Sequence, residues 1–178
     1  GVALGEKLVR GLLFPLGYAL LLVPFGEELV PLLQTLTAKI SIVLLHLSGI
    51  PAEIEGVFIT TRAGFFEVAE ACSGVNFLIA MLAYSVFAAH LCFRRWTRRI
   101  VFVTLALATT VLANALRAYG TMVAAEIWGI ERAGGIDHVF YGWIFFGLVI
   151  LIVMLAARRW FDRPANDVAV DVAGLDGV

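Results

Sequence analysis

The sequence predicts an all-α membrane protein: a polytopic helical bundle with one interfacial amphipathic helix and a small external β-hairpin. Three observations predict it. Of 178 residues, 61% are hydrophobic and only 15% charged, against roughly 45–50% and about 25% in an ordinary soluble domain. The apolar residues come in runs of membrane-spanning length. The arginines gather in clusters at the ends of those runs. This composition excludes a disordered tail, a basic nucleic-acid-binding domain and a disulfide-stapled secreted module.

The first element is a span from Leu8 to Phe25, interrupted by Arg10, Pro15 and Pro24. Proline is tolerated in membrane helices where neighbours re-satisfy the backbone. The next is Leu29–Leu47. On a helical wheel Leu29, Leu32, Leu33, Leu36, Ile40, Val43, Leu44 and Leu47 share one face, and Gln34, Thr35, Thr37, Lys39, Ser41, His46 and Ser48 occupy the rest. That pattern fits a helix lying in the outer interface; an ordinary span packed against other helices is the alternative. Within Gly49–Ser73, the β-prone runs Glu55–Thr60 and Gly64–Val68 flank a Thr-Arg-Ala-Gly turn and predict the hairpin. Three uninterrupted spans follow, from about Val75 to Cys92, from Ile100 to about Ala118, and from Val139 to Ala157. The stretch from Asp162 to Val178 is acidic and rich in Gly, Ala and Val. A membrane-embedded domain is therefore expected over 1–161 and a flexible tail or linker over 162–178. The chain begins with Gly1 rather than Met and reads as a processed form or fragment.

Orientation follows from the short basic loops. Arg94, Arg95, Arg98 and Arg99 lie between two spans, and Arg158, Arg159 and Arg163 follow the last. Both clusters belong on the cytoplasmic side, with Trp96 and Trp160 as interfacial anchors. The spans 75–92 and 139–157 then run outside to inside, and 100–118 inside to outside. Lys7 and Arg10 start the first span inside. If Leu29–Leu47 also crossed, the parity would break, which is the argument for the interfacial helix.

This topology brings Cys72, Arg117 and His138 to one outer level, and ionisable residues at membrane depth are functional candidates. A thiol needs a base to become a nucleophile, and an imidazole supplies one. Cys72 precedes a helix start, where the dipole favours an anion. Arg117 offers permanent charge and planar donors for an oxyanion or a carboxylate. His138 can act as base and then as acid to a leaving amine. Acyl transfer through a thioester follows from this set. Each residue also has an ordinary role: packing for a small thiol, snorkelling for an Arg, structure for an interfacial His. Supporting candidates are Glu70, placed to orient His138 or pair with Arg117; Asn114, one turn before Arg117; Asn76, one turn after Cys72; and Asp137, beside His138. Glu67 also precedes the thiol. Cys92 and His90 belong to the cytoplasmic end and His46 to a solvated face. With no HExxH, no other close His/Cys ligand spacing, no GxSxG and no P-loop, neither a metal nor another cofactor is implied.

The pieces Glu-Ala-Cys-Ser-Gly (70–74), Asn-Ala-Leu-Arg (114–117) and Asp-His-Val-Phe-Tyr-Gly-Trp (137–143) resemble the exosortase/archaeosortase family of membrane-embedded cysteine proteases and transpeptidases. Phe14-Pro15-Leu16 and the stretch from Gly49-Ile50-Pro51 to Glu55-Gly56 also follow the family's pattern. The resemblance runs from roughly Phe14 to Ala157, and its last two motifs are most like the exosortase A branch. Many relatives have His-Asp-x-Ser-Gly where this chain has His138-Val139-Phe140-Tyr141-Gly142, so the small hydroxyl residue is missing here. The resemblance implies Cys72, Arg117 and His138 as the catalytic residues. It also implies substrate proteins that carry a C-terminal sorting signal: a Pro-Glu-Pro-like motif, a hydrophobic span and a basic cluster. It implies a bacterial cytoplasmic (inner) membrane location with the site facing the periplasm, and a chain that is the C-terminal, catalytic portion of a longer protein. The lipid bilayer is the other expected partner, and nucleic acid is not one. The competing reading is a non-enzymatic scaffold or export component of an exopolysaccharide system, which expects Cys72, Arg117 and His138 to lie far apart.

Overall fold

The computed structural model describes residues 12, 14–22, 25–130 and 137–162; the side chains at 22 and 137–140 lie outside that description. The helices are α1 (residues 14–19, extended by a 3₁₀ turn over Leu20–Leu22), α2 (Val30–Leu47), α3 (Val75–Cys92), α4 (Trp96–Trp128) and α5 (Asp137–Ala157). Between α2 and α3 lie β1 (Ala52–Glu55), β2 (Phe58–Thr61) and β3 (Phe65–Glu67). Four segments, Glu27–Leu47, Glu70–Cys92, Trp96–Trp128 and Tyr141–Trp160, are long and apolar enough to cross a membrane. The chain is thus a polytopic helical membrane protein with a small sheet.

α3 begins and ends where the sequence places it, because Gly74 (φ 82°) turns the chain at its start and Phe93 is extended at its end. At the arginine end, Asp162 ties the bundle shut: it accepts from the Arg94 N–H (2.7 Å), donates its own N–H to the Cys92 carbonyl (3.2 Å) and pairs with Arg98 (3.5 Å). Phe93, Phe102 and Phe161 pack beneath this clasp. α1 runs antiparallel to α3, since Phe14 stacks on His90 while the Tyr18 hydroxyl reaches the Ala83 carbonyl (3.2 Å).

α4 is longer than the predicted span. Its 33 residues make it roughly 50 Å long at ~1.5 Å per residue, well beyond a hydrocarbon core of about 30 Å. The excess, past Ala118, is the post on which α2 and the sheet are built. Ala38, Ile42 and Leu45 of α2, Ile59 of β2, Val68 and Met122 of α4 form one buried cluster there.

The wheel of α2 is corrected by the structure. Thr37 and Ser41, assigned to the solvent side, are fully buried, and the Ser41 hydroxyl donates to the Ala115 carbonyl (3.2 Å). Leu32, Leu36, Val43 and Leu47 of the apolar stripe face outward and are exposed. The physical reason is that lipid and leucine are equally apolar, so burial falls to small and hydroxyl side chains that let helices approach and share hydrogen bonds. α2 starts level with the start of α3, since a Cβ on Gly26 would touch Val75 and Ile79. From there it climbs obliquely across α4: Thr37 meets Asn114 and Ser48 meets Tyr119.

The expected hairpin is present as β2 and β3, joined by the Thr61–Gly64 turn. The structure adds β1, paired antiparallel to β2 with Glu55 opposite Phe58. Gly56 (φ 62°) makes the additional turn, a conformation that favours glycine. Glu126 near the end of α4 holds the sheet. Its carboxylate accepts from the Ala63 N–H (2.8 Å).

Candidate active site

Cys72 ends a 3₁₀ turn over Glu70–Cys72, closed by its own N–H on the Ala69 carbonyl (2.8 Å) and by the Ser73 N–H on the Glu70 carbonyl (3.0 Å). The Ser73 hydroxyl then accepts from the Val75 N–H (3.3 Å) at the start of α3. This turn is bolted to α4 by Asn114. The buried Asn114 amide nitrogen donates to the carbonyls of Cys72 (2.9 Å) and Ser73 (3.1 Å) and faces the Thr37 hydroxyl (3.1 Å). Three acceptors share two amide hydrogens, so α2, α4 and the Cys72 turn meet at one side chain. Gly74 makes the junction possible: a Cβ there would lie 2.6 Å from Asn114 Cγ.

Arg117 lies one turn beyond Asn114 on the same face of α4. Its guanidinium carbon sits 5.5 Å from the centre of the Phe77 ring, a cation–π arrangement. The guanidinium also lies close to the bare backbone of Gly142 on α5, where a Cβ would stand only 3.3 Å from Cζ. The Arg117 carbonyl accepts from the Thr121 hydroxyl (3.1 Å). His138 is one helical turn before Gly142, so its backbone belongs to the same face of α5. The side chains of His138 and Asp137 lie outside the described residues.

Cys72 and Arg117 border two adjoining clefts. One lies between β3 and α4, against Phe66, Glu67, Val68, Ala118 and Met122. The other, of about 440 Å³, opens between α3 and α5, against Phe77, Ala80, Trp143 and Phe146. Stacked Phe77 and Phe146, with ring centres 4.7 Å apart, form its floor. Glu70 and Asn76 are exposed on its rim, and among the described residues Glu70 makes no ion pair with Arg117.

The sequence reading missed Phe77, and it gave Thr37, Gly74 and Gly142 no role at the site. Thr37 is disguised by the wheel, and a glycine's value lies in the neighbour it admits. Cys92 closes α3 at the arginine end, and His90 stacks on Phe14 there, so both are remote from Cys72. His46 reaches the Ala52 carbonyl (2.9 Å) and tethers the end of α2 to β1.

A family model described as transmembrane exosortase (Exosortase_EpsH) matches residues 1–155. No curated protein and no solved structure matches the chain.

Proposed function

The chain belongs to the transmembrane exosortase family, and from that premise we propose that it is a membrane-embedded cysteine protease or transpeptidase acting on C-terminal sorting signals of exported proteins. The single observation that carries the reading is that Cys72 and Arg117, 45 residues apart in sequence, border the same clefts. That shared border also favours an enzyme over the scaffold reading, which expects them apart.

In the proposed reaction His138 takes the Cys72 proton, and the sulfur attacks the carbonyl carbon of the scissile peptide bond. The guanidinium of Arg117 stabilises the tetrahedral oxyanion. Collapse breaks the C–N bond, His138 protonates the departing amine, and a thioester remains. Water or an amine acceptor then attacks that thioester, His138 removes the incoming proton, and the thiol is restored. Phe77 and the bare backbone of Gly142 both lie against the guanidinium, which helps set Arg117 before substrate arrives. Replacing Arg117 by Gln is expected to lower kcat/KM by about 10²–10³-fold, the scale for removing one oxyanion donor, with little change in thermal midpoint.

The proposed substrate is a protein ending in a Pro-Glu-Pro-like motif, an apolar span and a basic cluster. The purified chain is incubated in lipid with a tagged reporter of that design, and mass spectrometry reads the new C-terminus. A free acid signifies hydrolysis and an amide signifies transfer; an intact reporter would overturn the reading.

The proposed membrane is the bacterial cytoplasmic (inner) membrane, with the arginine end inside and Cys72 facing the periplasm. In a Cys92→Ser background, an impermeant maleimide is expected to label Cys72 in intact cells. Labelling only after permeabilisation would reverse the orientation.

A further inference from the structure

Among the described residues β3 is the edge strand of the sheet, and its residues Phe66 and Glu67, with Val68 just after it, line the cleft that Cys72 and Arg117 border. The hydrogen-bond pattern defines that edge. The Thr61 N–H donates to the Gly64 carbonyl (2.9 Å) and the Val68 N–H to the Val57 carbonyl (3.0 Å). Ile59 is paired opposite Phe66 between them. Hydrogen-bonded pairs alternate along an antiparallel ladder, so the Gly64 carbonyl, Phe66 and the Val68 N–H turn toward β2 and the residue before it, while the Val68 carbonyl accepts from the Gln34 amide of α2 (2.8 Å). Phe65 and Glu67 turn theirs the other way. The Glu67 carbonyl accepts from the Ala69 N–H (3.0 Å). The Phe65 N–H, the Phe65 carbonyl and the Glu67 N–H have no backbone partner among the described residues.

Such a row is a template for another strand. The occupant must be an extended peptide, because a helix already satisfies its own backbone groups. The same conformation exposes a scissile carbonyl to a nucleophile. Geometry links the edge to the thiol: Glu67 and Cys72 are five residues apart, at most about 17 Å of chain. A paired segment of four to six residues, at ~3.3 Å each, therefore reaches from the edge to the sulfur.

We propose that the free edge of β3 is the peptide-binding subsite of this enzyme: substrate adds to the sheet as a fourth, extended strand on the backbone groups of Phe65 and Glu67. This rests on the protease reading, and it names how the substrate is held. The Phe66 side of the cleft then receives alternate substrate side chains, while the others face away from the helices.

Disulfide trapping tests the pairing without requiring turnover. In a Cys72→Ala, Cys92→Ser background, Phe65→Cys is combined with the sorting-signal reporter carrying single cysteines stepped through its cleavage segment. Strand addition predicts crosslinks that alternate with a period of two residues, because directly opposed Cβ atoms stand about 5 Å apart and the intervening ones face away. Crosslinking without that alternation, or none, would overturn the proposal while leaving Cys72-dependent cleavage intact. Conversely, reporter cleavage that survives Cys72→Ala sinks the protease reading itself. In the otherwise unaltered chain, Glu67→Pro deletes an edge N–H that β2 does not use. It is expected to lower kcat/KM about tenfold further than Glu67→Ala, the scale of one or two lost hydrogen bonds. Equal losses in the two variants would assign the effect to the side chain and count against strand addition.

Discussion

Cys72→Ala is expected to reduce cleavage of the sorting-signal reporter by at least ~10³-fold, the scale on which a covalent nucleophile is lost, while the thermal midpoint moves little. The second half of that expectation comes from the hydrogen bonds. Asn114 holds the carbonyls of Cys72 and Ser73, and the Cys72 N–H is spent on Ala69. None of these contacts uses the sulfur, so the turn survives its removal. Cys72→Ser should be nearly as inactive despite its similar size, because a hydroxyl ionises far less readily than a thiol. Single-turnover cleavage and a melting curve of the same preparations check both halves. Full activity in Cys72→Ala would remove the nucleophile from the mechanism.

Gly74→Ala is expected to lose folding and activity together. The left-handed backbone at Gly74 (φ 82°) penalises any side chain by about 1–2 kcal/mol. The new Cβ would also lie 2.6–2.9 Å from three atoms of Asn114. That amide is buried and committed to three acceptors, so it cannot withdraw without breaking the junction. Overpacking of this kind adds about 1–3 kcal/mol, for a total near 2–5 kcal/mol. The thermal midpoint should fall sharply. Because part of the penalty is a clash with one side chain, Gly74→Ala with Asn114→Ala should be less destabilised than the sum of the single variants. Strict additivity would show that the clash is absorbed elsewhere.

Much of this architecture is legible without coordinates, and the reason differs by element. The span 75–92 is apolar throughout and ends at arginines, so its limits emerge to the residue. The Thr61–Gly64 turn is marked by its residue types, but β1 is short, polar and largely exposed, which leaves no alternation to read. α4 overruns its apolar stretch because nothing before Gly129 stops a helix, and hydropathy reports the solvent around a helix rather than its length. For the candidate site, Asn114 and Arg117 emerge from their spacing on one helix face. Thr37 does not, because a wheel assumes that polar residues seek water, and beside lipid they pack inward.

The sequence by itself determined that lipid is the main solvent, which ends of the helices carry arginine, and that Cys72 and Arg117 share one level, because these depend on composition and chain direction alone. Only the tertiary structure decided their lateral neighbours. Asn114 locks the Cys72 turn to α4, Gly142 admits the Arg117 guanidinium against α5, and β3 lines a cleft with both Cys72 and Arg117. Depth is a one-dimensional property that a chain encodes locally. Adjacency within the membrane plane arises from which small residues let which helices approach.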